Sequence, residues 1–471
     1  MDPWATVIIP LYLLVMTGAV LYHGRKAKTF KDYALAGGSL PWPVICATIL
    51  ATSIGGGSMM GYVGAFYQYG VMYFWLVLGS LASQLILIVF LSERIKQLDI
   101  YTIGDIFEMR YGRKAQLIAG VINLCVGIAV GFGMLASLSA LLSSYLGISE
   151  AAAGIIGVLL FGITVTMGGL KGAAVTDTVQ SVLIIGGAVA VAAVSFTRAG
   201  GVEGLSGLPE NLLSMSAPNL PPMLFWGMVA SSFFVNFADQ AAMFQRINAA
   251  RSPKDAKKAL LSSSILVAVC MGLVMIMGLS ARILLGDGIG ENQVITELLK
   301  TVHPLVGVLY ASAIIAAVIT TANAMYLSAA MTFSRDLVRY FVPELSDRKM
   351  VLASRFFVWA AVIVSYIVVR FQPSIMKWIL IGYACITCLV LPLYGGLMTK
   401  KATPASGVWS LALSIAGVVV WETLGCPWQV NSVFPALLLG LAGFAAGCFH
   451  SIKSTEEQKK LVDRFRRKAE G

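Results

Sequence analysis

Three consecutive glycines, Gly55, Gly56 and Gly57, interrupt the apolar segment PWPVICATILATSIGGGSMMG that runs from Pro41 to Gly61. Each costs a continuous helix about 1 kcal/mol relative to alanine, so together they predict a helix broken part-way along. A break frees backbone N–H and C=O groups, which hydrocarbon tolerates only where protein or a water-filled cavity surrounds them. Freed carbonyls can hold a small cation, and the amides of Gly56, Gly57 and Ser58, opening the next half-helix, can hold an anionic group. Close packing of a neighbouring helix would use the same glycines.

Other polar residues stand inside apolar runs. Asp177 falls about one turn into such a run, and Asn236, Asp239 and Gln240 fall within VASSFFVNFADQAAMFQR. An ionisable group at membrane depth marks a functional site or caps a freed helix end. Asp239 fits either the capping of a half-helix or contact with a solute. The Thr320–Thr321 pair is ambiguous alone, since threonines in membrane helices also bond the carbonyl one turn back. His23, His303 and His450 lie far apart, and no nucleophile–base or metal-ligand spacing joins them, so an enzyme is not expected. Cys385 and Cys388 form a lone CxxC, read as packing residues on one helix face.

The elements that must hold these residues follow from composition. With 58% hydrophobic and 12% charged residues and a mean hydropathy of +0.82, most of the chain faces something other than water. The expectation is an all-α polytopic membrane protein of about thirteen spans, near 4–22, 39–64, 70–92, 115–145, 151–168, 173–197, 223–244, 259–281, 304–333, 351–371, 376–397, 404–424 and 431–450. With the N-terminus outside, the inside segments carry 28 of the 34 lysines and arginines, so the C-terminus is expected in the cytoplasm. The basic stretches RINAARSPKDAKK and KKLVDRFRRK then read as topology signals beside anionic lipid, and no nucleic-acid partner or obligate protein partner is expected.

Spans two to six and seven to eleven make two five-helix units of opposite orientation, an inverted repeat whose first helices are broken. The expected division is an extra helix and loop over 1–38, repeats over 39–197 and 198–397, two further helices over 398–450, and a basic tail over 451–471.

Four segments, DYALAGGSLPWPVICATILATSIGGG, GGLKGAAVTDTVQ, DQAAMFQRINAARS and AAVITTANAMYLSAAMTFSRDL, occur in an order that resembles the sodium/solute symporter family. The resemblance implies a Na+-coupled importer of a small organic solute in the plasma (inner) membrane. It implies a sodium ion between the second and ninth spans, held by the carbonyls of Ala51, Ile54 and Ala317 and the hydroxyls of Thr320 and Thr321. Five neutral oxygens suit a hard cation that must bind reversibly. Asp177 is assigned by the resemblance to sodium release toward the cytoplasm.

The solute is expected among Ser53, Gly55, Gly56, Gly57, Ser58, Phe234, Phe237, Asp239 and Gln240. Sugar-transporting members resemble one another in a Glu just after the break, where this chain has Gly57; choline-transporting members carry a Trp where it has Ser53. The expectation is therefore a carboxylate-bearing solute such as a monocarboxylate, an amino acid or a pantothenate-like compound. A choline-like cation, or a channel or sensor on the same fold, is the alternative.

Overall fold

The computed structural model describes residues 3–24, 29–55, 57–216, 220–371, 375–450 and 453–466. Among them the chain is helical almost throughout, and the only β pairing is an isolated parallel bridge between Leu40 and Ala250. Nine helices of the described residues are long and apolar enough to cross a membrane, with two shorter apolar ones at Trp42–Ser53 and Val433–Cys448.

In chain order the principal helices are α1 (Pro3–Gly24), α2 (Trp42–Ser53), α3 (Tyr62–Tyr69), α4 (Phe74–Ile86), α5 (Ile103–Tyr111), α6 (Arg113–Leu146), α7 (Glu150–Arg198) and α8 (Pro222–Ala238). They continue with α9 (Gln245–Ala249), α10 (Pro253–Leu285), α11 (Pro304–Thr332), α12 (Asp347–Phe371), α13 (Ile375–Met398), α14 (Pro404–Thr423), α15 (Val433–Cys448) and α16 (Glu456–Arg466).

Two helices stop and restart inside the bundle. α2 ends at Ser53, Ile54 leaves the helical region (φ −103°, ψ 68°), and a π-helical turn at Gly57–Gly61 leads into α3. α8 ends at Ala238, Asp239 turns extended (φ −71°, ψ 102°), and the π-helical turn Gln240–Phe244 leads into α9. The bridge at Leu40 ties the two interrupted elements together: Leu40 N donates to Ala249 O (3.0 Å) and Leu40 O accepts from Arg251 N (3.0 Å).

The sequence places a polar break at 169–172 between two spans, and α7 is interrupted there: Gly169 leaves the helical region (φ +53°, ψ −167°), so that two helical segments meet at a kink. A side chain there would meet Tyr33 Cδ2 and O at 2.8 Å, so the residue must lack one as well as take a left-handed backbone.

α11 is the most enclosed element, with every residue from Tyr310 to Thr332 buried between α6 and α7. It is hydrophobic all round, as a helix without an aqueous face must be. Hydrogen bonds fix its rotation: Thr164 Oγ1 donates to Asn323 Oδ1 (2.8 Å), Asn123 Nδ2 to Thr332 Oγ1 (2.7 Å) and Tyr326 Oη to Ser365 Oγ (2.7 Å). Small residues bring the backbones close, since a methyl group at Gly127 would lie 2.7 Å from Ala329 Cβ and 2.9 Å from Met325 O.

Gly127→Val is therefore expected to destabilise the bundle by about 1–3 kcal/mol through overpacking. Gly186→Ala, where a methyl group meets nothing within 4 Å, should cost nothing. Thermal unfolding of both variants in detergent checks this, and equal midpoints would refute the packing assigned to Gly127.

Candidate functional site

The carbonyls at the end of α2 lose their helical partners at Ile54, as any helix end does. One finds a replacement on α11: Thr321 Oγ1 donates to Thr52 O (2.9 Å). Gly55 packs so tightly on Thr321 that any side chain would overlap its Oγ1. Ala317, Thr320 and Thr321 share one face of α11 by their spacing, and with Ala51 and Ile54 all five expected ion-binding residues are buried. A hydroxyl that gives away its proton keeps its lone pairs, so Thr320 and Thr321 remain usable as ligands.

α7 closes this region from the other side. Thr320 Oγ1 donates to Gln180 Oε1 in a short contact, and Gln180 Nε2 donates to Tyr12 Oη (2.9 Å) on α1. Asp177, one turn before Gln180, is buried and faces Thr320; its Oδ2 has no hydrogen-bond partner among the described residues.

The second break is capped by its own acid. Asp239 Oδ1 accepts from Ala242 N (2.8 Å), while Asp239 O accepts from Met243 N (3.2 Å) and Phe244 N (3.0 Å). Arg246 then joins the two breaks. Its Nη2 donates to Thr52 Oγ1 (2.9 Å), and its Nη1 donates to Gln245 Oε1 (3.0 Å) and, in a short contact, to Ala241 O. The guanidinium is fully enclosed and lies within electrostatic reach of both Asp177 and Asp239.

Between the breaks lies a cavity of about 100 Å³. Thr52, Ser53, Gly55 and Thr321 form the wall it shares with the α2–α11 contact, and Asn236 and Asp239 line it from α8. Tyr62, Gln84 and Tyr383 complete its polar lining with Ser80 and Ser232. Asn236 Nδ2 is spent on Ser83 Oγ (2.8 Å) and Ser80 O (3.0 Å), anchoring α8 to α4. Gln84 Oε1 accepts from Ser264 Oγ (2.7 Å).

The structure thus brings Ser53, Gly55 and Asp239 to one cavity. Gly56 lies outside the described residues, and Gly57 and Ser58 open the π-helical turn after the break. Three expected solute contacts are placed elsewhere. Gln240 spends its amide on backbone, accepting from Ile103 N (2.7 Å) and donating to Tyr101 O (3.1 Å). Phe237 packs edge-on against Phe233 and Tyr394, and Phe234 against Phe233; neither ring is part of the cavity wall. The reason is geometric: Ser232, Val235 and Asn236 make the α8 face turned to the cavity, so Phe234 and Phe237 point away from it, and the chain turns at Asp239 so that Gln240 starts the next helical turn in another direction.

Sequence reasoning missed Arg246, Gln180, Tyr62 and Gln84. Gln180 was findable, because it follows Asp177 by three residues and so shares its helix face. Arg246 reads in the sequence as the start of a basic loop, but Ser252 N-caps α10 (Asp255 N to Ser252 Oγ, 3.0 Å), so the loop is only the few residues before it.

This is the fold and the site of a helical membrane transporter with two interrupted helices about a central cavity. Residues 33–411 match the sodium:solute symporter family, and the chain belongs to it. It is 26% identical over 437 residues to a sodium/glucose cotransporter of Vibrio parahaemolyticus, covering 83% of this chain and 75% of that one. It is 24% identical over 472 residues to the sodium/pantothenate symporter of Haemophilus influenzae, covering 94% and 96%. Its fold matches that of a Na+-coupled sialic acid symporter in a substrate-bound outward-open state, with a TM-score of 0.84 at 19% identity over 96% of this chain and 98% of the other. The protein is an integral membrane sodium:solute symporter with Na+ as its coupling ion.

Gln240→Ala should free the Tyr101–Ile103 backbone and loosen that end of the bundle without touching the solute. A thiol placed at Ser53 is expected to label faster from that side in the variant, with the solute KM changed by less than about threefold. A large rise in KM with unaltered labelling would return Gln240 to the solute site.

Proposed function

We propose that this symporter imports a small carboxylate-bearing solute, most closely matched by an amino-acid zwitterion. The observation that carries this reading is the cavity between the two breaks, whose lining holds the carboxylate of Asp239, the amides of Asn236 and Gln84 and the hydroxyls of Tyr62 and Tyr383. Asp239 and Asn236 on α8 offer oxygens to an ammonium group. Tyr62 and the N–H₂ of Gln84 offer donors to a carboxylate. The pantothenate and sialic acid of two relatives are themselves carboxylates, whereas glucose is neutral. A choline-like cation is the second reading, favoured by the rings of Tyr62 and Tyr383 beside Asp239.

Sodium is proposed at the α2–α11 contact, on the carbonyls of Ala51, Ile54 and Ala317 and the hydroxyls of Thr320 and Thr321, with Asp177 drawing the ion toward the cytoplasmic exit. The ion site and the cavity share Thr321 and the end of α2, so occupancy of one sets the shape of the other. The proposed topology has thirteen spans, counting α7 as two and each broken helix as one. The five-helix repeats cover 39–197 and 198–397, with the flanking segments divided at 38, 397 and 450 and the N-terminus outside. One helix bundle rocking against the rest would open the cavity to each side in turn. A single Na+ crossing 100 mV contributes about 2.3 kcal/mol, enough for roughly 50-fold accumulation of a neutral solute.

Replacing Thr320 and Thr321 together with Ala removes two of five ligands and should raise the Na+ concentration for half-maximal uptake about tenfold or more, at ~1 kcal/mol per lost oxygen. Unchanged sodium dependence in proteoliposomes would sink the site.

Competition against Na+-driven uptake tests the solute. Amino acids are expected to inhibit and sugars to have no effect. Inhibition by quaternary amines alone would select the second reading, and inhibition by sugars alone would overturn both.

A further inference from the structure

At one end of the bundle, the α5–α6 turn, the chain after α11 and the adjoining ends of α14 and α15 border an open cavity of about 610 Å³, apart from the central one. Its lining holds Arg113 and Lys114 and no carboxylate. The Arg113 guanidinium lies over the Tyr340 ring at 5.3 Å, and its Nη2 donates to Arg339 O (3.2 Å) and Tyr340 O (3.1 Å). That holds the group in place with Nη1 and Nε still available. Lys114 is exposed and has no ion-pair partner among the described residues. Glu108 lines a neighbouring cleft in which Arg113, Arg335 and Arg339 outnumber it.

The opposite wall is of another character. Pro404, Val408 and Trp409 of α14 make it apolar, and the Trp409 ring stands edge-on to His450 at 5.6 Å. Next along the chain from this lining, Phe341 and Phe449 are 73% and 87% exposed. The site lies where α6 begins at Arg113, α14 begins at Pro404 and α15 ends at Cys448, so the cavity lies at head-group depth. A free anion would have no use for the apolar wall, and the ammonium of a zwitterionic head group would meet the like charges of Arg113 and Lys114, with the Tyr340 face already covered by Arg113.

We propose that this cavity binds the head group of an anionic phospholipid, with Arg113 and Lys114 on the phosphate and Val408 and Trp409 against the glycerol and first acyl carbons. The site sits at the lysine- and arginine-rich end of the chain, which the proposed orientation places on the cytoplasmic leaflet. Only the choice of leaflet rests on that orientation; the lipid chemistry follows from the lining.

The test is thermal unfolding of the purified full chain in neutral detergent with short-chain phosphatidylglycerol, short-chain phosphatidylcholine or inorganic phosphate added. Phosphatidylglycerol is expected to raise the midpoint well above either other addition. In Arg113→Gln/Lys114→Gln the concentration of phosphatidylglycerol required should rise about thirtyfold, each basic group having the ordinary worth of a cation beside an anionic leaflet. Lys114→Glu, which has no bond to lose, should abolish the phosphatidylglycerol increment while leaving the increment from Na+ intact. Equal shifts from the two lipids, an equal shift from inorganic phosphate, or a full phosphatidylglycerol shift in Lys114→Glu would each overturn the proposal.

Discussion

A backbone polar group left unpaired in a bilayer is too costly to persist, and this chain breaks two helices where water does not reach freely. Most of the central architecture answers that constraint. Thr321 supplies a donor to the carbonyl of Thr52, Asp239 caps the amide of Ala242, and Arg246 reaches from the second break to Thr52 and Ala241. The breaks are thereby tied to α11 and to one another, while the bridge at Leu40 ties the chain just before α2 to the end of α9. Neither interrupted helix can shift without disturbing the other, which is the property a coupled transporter needs.

Charge adds a second constraint in the same place. Around the two breaks, the formal charges of Asp177, Asp239 and Arg246 leave one negative unit. A sodium ion at the proposed site would neutralise it, so the ion would be favoured by the whole cluster and not only by its five neutral ligands. With sodium in place, a solute carrying no net charge enters without upsetting the balance, and a zwitterion also finds a partner for each of its ends. Electrostatics and the lining of the cavity therefore favour the same class of solute.

Much of the central site was legible because its residues break local rules. A glycine triplet in an apolar helix, a buried acid such as Asp177 and the polar residues between Asn236 and Gln240 each conflict with what a membrane helix ordinarily contains; the first and last lie at the breaks, and Asp177 faces Thr320 beside them. What escaped was set by contacts distant in sequence. Arg246 carries the same letter as the arginines of a cytoplasmic loop, and only the position of the Ser252 cap shows that the loop has not begun. Gln240 stands beside Asp239 but faces the Tyr101–Ile103 backbone, because adjacent residues at a helix start diverge in direction. Phe234 and Phe237 have the composition of a solute gate and the direction of packing residues. The break at 169–172 was legible as a polar interruption, but the close approach of Tyr33 that requires a glycine at 169 is a tertiary fact.

The most direct test of sodium as the link between the breaks is a pair of high-resolution structures, one in Na+ and one in a large organic cation that cannot enter. The account predicts difference density in Na+ alone, between the end of α2 and the Thr320–Thr321 face of α11, within ligand distance of both hydroxyls. Density at a place that touches neither threonine, or no difference between the two structures while uptake remains sodium-driven, would contradict it.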